Sequence, residues 1–116
     1  AGIYRTEEEL KETCETLRKL KARYENVGLD DRSGVFNTEL IAALELGYML
    51  DVAEALAHSA LQREESRGSH SRLDFEARDD ERFLKHSLAY RTEDGSPRID
   101  YLPVTITRWK PEERKY

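Results

Sequence analysis

Apolar residues at Leu10, Cys14, Leu17, Leu20, Tyr24 and Val27 recur in steps of three and four, which lays one stripe along one face of a helix. Thr6 precedes this run and Glu9 stands three positions further on, the spacing of a capping box. Glu7 and Glu8 place negative charge at the positive end of the helix dipole. Gly28 supplies a stop. The pattern predicts a first helix over 7–26.

Asn37 can cap a second helix, predicted over 38–65. Here the apolar and small residues lie almost all round: Leu40, Ile41, Leu44, Leu46, Met49, Leu50, Val52, Leu56 and Leu61, with alanines between them. A helix apolar on several faces takes partners from several sides, and the first helix can cover only one of them.

From Ser66 the periodicity fails, and an irregular loop is expected over 66–78. Asp79 caps a third helix, expected over 79–88, with Phe83, Leu84 and Leu88 facing inward. Ser87–Arg91 and Arg98–Thr107 alternate as strands do, and Asp94-Gly95 between them is a hairpin signal. Pro103 confines the second strand to an edge or an early stop. The expectation is one mainly helical domain over 1–116, with an extended C-terminal tail over 89–116 that contains a β-hairpin.

Composition narrows the function classes. The 116 residues suffice for one modest core, and 37% of them are charged. A formal net charge of -5 offers no basic field for nucleic acid. The apolar stretch around Leu40–Leu61 is interrupted by Glu39, Glu45, Asp51 and Glu54, which excludes a span of about 20 uncharged residues. Thr6-Glu7-Glu8-Glu9 so near the start does not read as a signal peptide. A single cysteine fits a reducing, cytoplasmic setting. Ala1 without an initiator Met reads as the start of a segment.

The densest chemistry lies in Glu65–Phe75, where Arg67, His70, Arg72 and Asp74 share a stretch without helical period. Arg presents a planar fork to carboxylate or phosphate, and His titrates near neutrality, so an anion site would use such residues. The same groups equally serve an ion-pair network that satisfies the backbone of a long loop. His58 and His86 read as surface or helix-end histidines. No His and Cys share metal-ligand spacing, and Cys14 lies on the buried stripe as a small hydrophobe. Neither a GxGxxG, a P-loop nor a GxSxG motif occurs.

The segment Glu65–His86, ESRGSHSRLDFEARDDERFLKH, resembles the ESRGAHxRxDxxxRDDxxWLKH signature of the flavoprotein subunit of succinate dehydrogenase and fumarate reductase. Phe36-Asn37-Thr38-Glu39-Leu40, followed by Ala43-Leu44-Glu45-Leu46-Gly47, resembles the FNTxLxxALELG helix of that family. Ser87-Leu88-Ala89-Tyr90, Asp100-Tyr101-Leu102-Pro103-Val104 and Glu113-Arg114-Lys115-Tyr116 match its C-terminal pattern. Ser69 stands for the usual Ala, Phe83 for Trp, and Phe75-Glu76 for an aromatic–Pro pair.

The resemblance implies a three-helix, spectrin-like C-terminal domain behind FAD-binding and capping domains that carry the flavin and the dicarboxylate-binding groups. No catalytic, cofactor-binding or metal-binding residue is transferred to this chain. FAD would belong to the parent subunit, whose reaction is hydride transfer between flavin and the C2–C3 bond of a dicarboxylate. Implied partners are the flavin-binding domain of the same chain and an iron–sulfur subunit, in a complex peripheral on the cytoplasmic face of a membrane. Arg67, His70, Arg72 and Asp74 become candidates for the polar part of an interdomain interface. Two other readings stand beside this one: a free-standing helical interaction module, and the matching domain of an L-aspartate oxidase, which shares the Ser-Arg-Gly-x-His part of the signature.

Overall fold

The structure, a computed structural model, describes residues 2–93 and 95–112. Its elements in chain order are β1 (Tyr4–Arg5), α1 (Glu7–Tyr24), α2 (Thr38–Gln62), β2 (Ser71–Arg72), α3 (Asp80–Phe83), β3 (Lys85–Tyr90) and β4 (Arg98–Pro103). The architecture is mainly helical with a C-terminal strand region, as the sequence leads one to expect.

Helix α1 starts where its capping box places it. The Glu9 amide donates to Thr6 Oγ1 at 3.3 Å, and the Thr6 amide donates to Glu9 Oε2 at 3.2 Å. It stops at Tyr24, four residues short of Gly28, where tighter backbone bonds from Asn26 to Arg23 and from Val27 to Tyr24 close the last turn. Leu10 is the fully buried residue of its stripe, while Leu20 and Val27 stay exposed.

Asn37 caps α2 by accepting the Leu40 amide at 2.8 Å. Helices α1 and α2 pack side by side. Gly47 permits the close approach: a Cβ there would lie 2.6 Å from the Tyr24 hydroxyl oxygen. Between the helices the Lys21 ammonium meets Glu54 at 2.5 Å and Asp51 at 3.0 Å, so the buried Glu54 is charge-paired. Leu50, Ala57 and Ala60 line the buried side of α2.

Besides the end of α1, at Tyr24 instead of 26, two further boundaries differ from the sequence reading. Helix α2 ends at Gln62 instead of 65, because Arg63 turns to extended backbone and sends its side chain to the C-terminal segments. The third helix, expected over 79–88, is the single turn Asp80–Phe83, capped by Asp79 as anticipated. From Lys85 the backbone instead pairs antiparallel with β4, Lys85 opposite Pro103 through Tyr90 opposite Arg98. That ladder takes the donors and acceptors that a longer helix would have used. Pro103 closes β4, as its missing donor requires. Gly95, in the hairpin connection, has φ 93°. Asp94 of the expected turn and the Glu113–Tyr116 ending lie outside the described residues.

The hairpin lies against the end of α2. The Phe83 and Tyr101 rings meet edge to face at 6.0 Å, and the Tyr101 hydroxyl donates to the Gln62 carbonyl at 3.2 Å. One pairing had no counterpart in the sequence reading: β1 runs parallel to β2, with Tyr4 opposite Ser71 and Arg5 opposite Arg72. The expected irregular loop is thereby tied to the N-terminal segment.

Candidate functional site

The loop after α2 folds around two buried charges. Glu65 is 0% exposed, and its carboxylate accepts from Arg63 Nη1 at 2.6 Å, Arg67 Nε at 2.8 Å, Arg67 Nη2 at 3.0 Å and the Asp79 amide at 2.9 Å. Burial pushes this carboxyl up, but the hydrogen bonds from Arg67, Asp79 and Arg63 outweigh it and leave it below its ordinary value. Arg63 then spans the domain. It donates to the Phe83 carbonyl at 2.9 Å, the Lys85 carbonyl at 2.6 Å and Ser87 Oγ at 3.0 Å, so one side chain joins α2, α3 and β3.

Arg72 is 1% exposed and faces the end of α2. Its Nη1 donates to the carbonyls of Ala60 at 3.2 Å, Leu61 at 3.1 Å and Arg63 at 3.4 Å. The last turn of α2 holds no basic residue of its own, so its free carbonyls and its negative dipole end are served by this remote guanidinium. The other side of the fork is bidentate on Asp74, and the Arg72 guanidinium stacks 4.9 Å from the Phe75 ring centre. Arg72 holds the Asp74 carboxyl down at about 2. Asp74 also accepts the Glu7 amide at 2.8 Å, an orphan donor in the first turn of α1.

His70 sits half-buried between Arg5 and Arg63. Its Nδ1 lies 2.9 Å from Arg5 Nη1, and its Nε2 lies 3.1 Å from the Arg63 carbonyl oxygen. Burial, together with the charges of Arg5, Arg72 and Arg63, lowers its pKa. Backbone bonds exchanged between Arg67 and His70 close the loop tip, where Gly68 takes φ 60°. Arg67 reaches Asp80 at 2.6 Å as well.

The structure therefore brings all four candidates, Arg67, His70, Arg72 and Asp74, into one network. The sequence reading missed the other half of it: Glu65 and Arg63 as hubs, and Arg5 as the partner of His70. A buried Glu between two arginines had a signal in the run Arg63-Glu64-Glu65-Ser66-Arg67, but nothing local pointed to Arg5. The guanidinium groups of Arg63, Arg67 and Arg72 are engaged by carboxylates, carbonyls and a hydroxyl of the chain itself. His58 is half-buried on α2 and His86 is exposed on β3. No group of three metal-ligating side chains occurs among the described residues. Burial raises the Cys14 thiol pKa.

Comparison with known proteins turns this geometry into a family assignment. All of residues 1–116 match the family described as fumarate reductase flavoprotein C-term. The chain belongs to that family. It is 57% identical over 116 residues to the fumarate reductase flavoprotein subunit of Mycobacterium tuberculosis, covering 100% of this chain and 20% of the relative. It is 38% identical over 112 residues to the succinate dehydrogenase flavoprotein subunit of Rickettsia bellii, covering 97% and 19%. A solved structure of Escherichia coli quinol fumarate reductase superposes with a TM-score of 0.93 at 49% identity, covering 97% of this chain and 20% of that one. The chain thus spans about a fifth of the length of these relatives, in agreement with a C-terminal domain of such a flavoprotein subunit. No helix among the described residues is long and apolar enough to cross a membrane.

Proposed function

We propose that this chain is the docking and supporting C-terminal domain of an FAD-dependent fumarate reductase or succinate dehydrogenase flavoprotein, and performs no chemistry by itself. The observation that carries this reading is an apolar ridge on α2. Leu40, Leu44, Tyr48, Val52 and Leu56 follow one another at steps of four and all are exposed, Val52 at 67%, and Phe36, 93% exposed, lies just ahead of the helix. A continuous apolar ridge of this extent marks a contact surface. Phe36 also holds φ 52°, a strained conformation for an aromatic residue, immediately before the Asn37 cap. The relatives are five times as long, which supplies a body for the ridge to cover.

The parent reaction would be hydride transfer between flavin and a four-carbon dicarboxylate, with all reacting groups outside this segment. FAD and an iron–sulfur subunit would be partners of the whole flavoprotein, and the complex would lie against the cytoplasmic face of a membrane. Greater identity to fumarate reductase than to succinate dehydrogenase relatives favours the reductase branch. The Arg67–His70–Arg72–Asp74 loop would set the orientation of the domain by keeping α1, α2 and the hairpin rigid behind the ridge.

The test is Leu44→Glu with Val52→Glu in the full-length protein, beside the exposed control Glu12→Lys. Charges on the ridge should lower flavin retention and melting temperature, while the control leaves both unchanged. Flavin content and melting temperature equal to the parent's in the ridge variant would defeat the docking role.

A further inference from the structure

The two neighbours of His70 dictate its protonation state. Nε2 faces the Arg63 carbonyl at 3.1 Å, an acceptor only, so Nε2 carries the hydrogen. Nδ1 faces Arg5 Nη1 at 2.9 Å, a donor only, so Nδ1 keeps its lone pair. The imidazole is thus held neutral in one tautomer, and it accepts a charged hydrogen bond that reaches across to β1. We infer that His70 is a proton-sensitive latch: neutral, it fastens the β1 segment to the loop through Arg5, and protonated, it lets that segment go.

The charges around the ring set the direction. Arg5 on β1, Arg63 just past α2 and Arg72 on β2 all face it, and each opposes a second positive charge. The nearby carboxylates are already committed. Asp74 pairs with Arg72, Glu7 acts on Arg72 from α1, and Glu65 binds Arg63 and Arg67. A proton on Nδ1 would set an N–H against the N–H of Arg5 and remove the bond. What then holds β1 is its short parallel pairing, with the Leu73 amide donating to the Arg5 carbonyl at 2.8 Å, and the single bond from the Glu7 amide to Asp74. This device stands apart from the docking role, since it concerns a contact within the chain.

Because the folded-state pKa is lowered from 6.5, the open segment binds the proton first as pH falls. The latch is therefore fully closed above 6.5 and weakens progressively below it. Hydrogen exchange of the peptide containing the Leu73 amide, followed in the full-length protein and corrected for intrinsic exchange, reads this directly. For a one-proton opening, exchange at about pH 5.5 should exceed that at about pH 7.5 by up to about tenfold. His70→Gln keeps an acceptor for Arg5 and a donor for the Arg63 carbonyl but does not titrate, so its protection should be independent of pH over this range. Equal pH dependence in His70→Gln and the parent overturns the latch. So does a parent profile that does not change with pH, a result that needs no variant to fold.

Discussion

Arg72 meets Asp74 through two parallel bonds, Nε to Oδ1 at 2.7 Å and Nη2 to Oδ2 at 2.7 Å, while its remaining nitrogen lies under the carbonyl end of α2. One fork therefore neutralises a carboxylate and caps a helix. Removing it in Arg72→Ala leaves the α2 carbonyls without their donor and the exposed Asp74 without its partner, and should cost about 2–3 kcal/mol of stability. Arg72→Lys keeps the charge but not the fork and should recover only part of that loss. Urea denaturation midpoints of the three proteins check the order.

Acid should reach this pair by a predictable route. The Asp74 carboxyl is held at about 2 against an ordinary 3.8, so its contribution is complete above 3.8 and is lost as pH falls toward 2. Asp74→Asn should be less stable than the parent at neutral pH, and the gap should narrow below 3.8. A gap that stays constant from neutral pH down to about 2 would show that the pair does not carry the effect.

Glu65 receives four hydrogen bonds in a site closed to solvent. Glu65→Gln removes the charge that pairs with Arg63 and Arg67 and turns an amide N–H₂ against N–H donors on one side of the site, and should cost about 2–3 kcal/mol. Because Arg63 loses its anchor too, exchange protection should fall in β3 as well as in the loop, which hydrogen-exchange mass spectrometry can follow.

At the α1–α2 crossing the sign of an effect should depend on its background. Gly47→Ala places a methyl 2.6 Å from the Tyr24 hydroxyl oxygen and should destabilise the protein. With Tyr24→Ala already in place, the same change should stabilise by about 1 kcal/mol, the helix-propensity gain of Ala over Gly. A double-mutant cycle on thermal unfolding measures the reversal.

Local chemistry decided much of this fold. Thr6 and Glu9, Asn37 and Asp79 start three helices at the positions where their side chains can reach orphan amides, and those interactions lie within three residues of each cap. The period of Leu10, Cys14 and Leu17 and the near-continuous apolar surface of α2 were equally local, and so was the Arg-, His- and Asp-rich composition of the loop that carries the candidate site. The loop signature, read as a pattern, was enough to point to the family.

What the sequence alone left undecided depends on residues far apart in the chain. Whether Lys85–Tyr90 continues a helix or forms a strand is settled by β4, which supplies the competing ladder. Arg72 serves α2 from a dozen residues beyond Ala60, and β1 joins β2 across most of the chain. Such contacts form only after loop closure, and no local period or capping signal records them. How Arg67, His70, Arg72 and Asp74 are placed was likewise a matter of tertiary structure: the open carbonyl end of α2 takes Arg72 fully inside, Glu65 and Arg5 hold Arg67 and His70 half-buried, and Asp74 stays exposed on the other side of the Arg72 fork, because a charge removed from water must find partners.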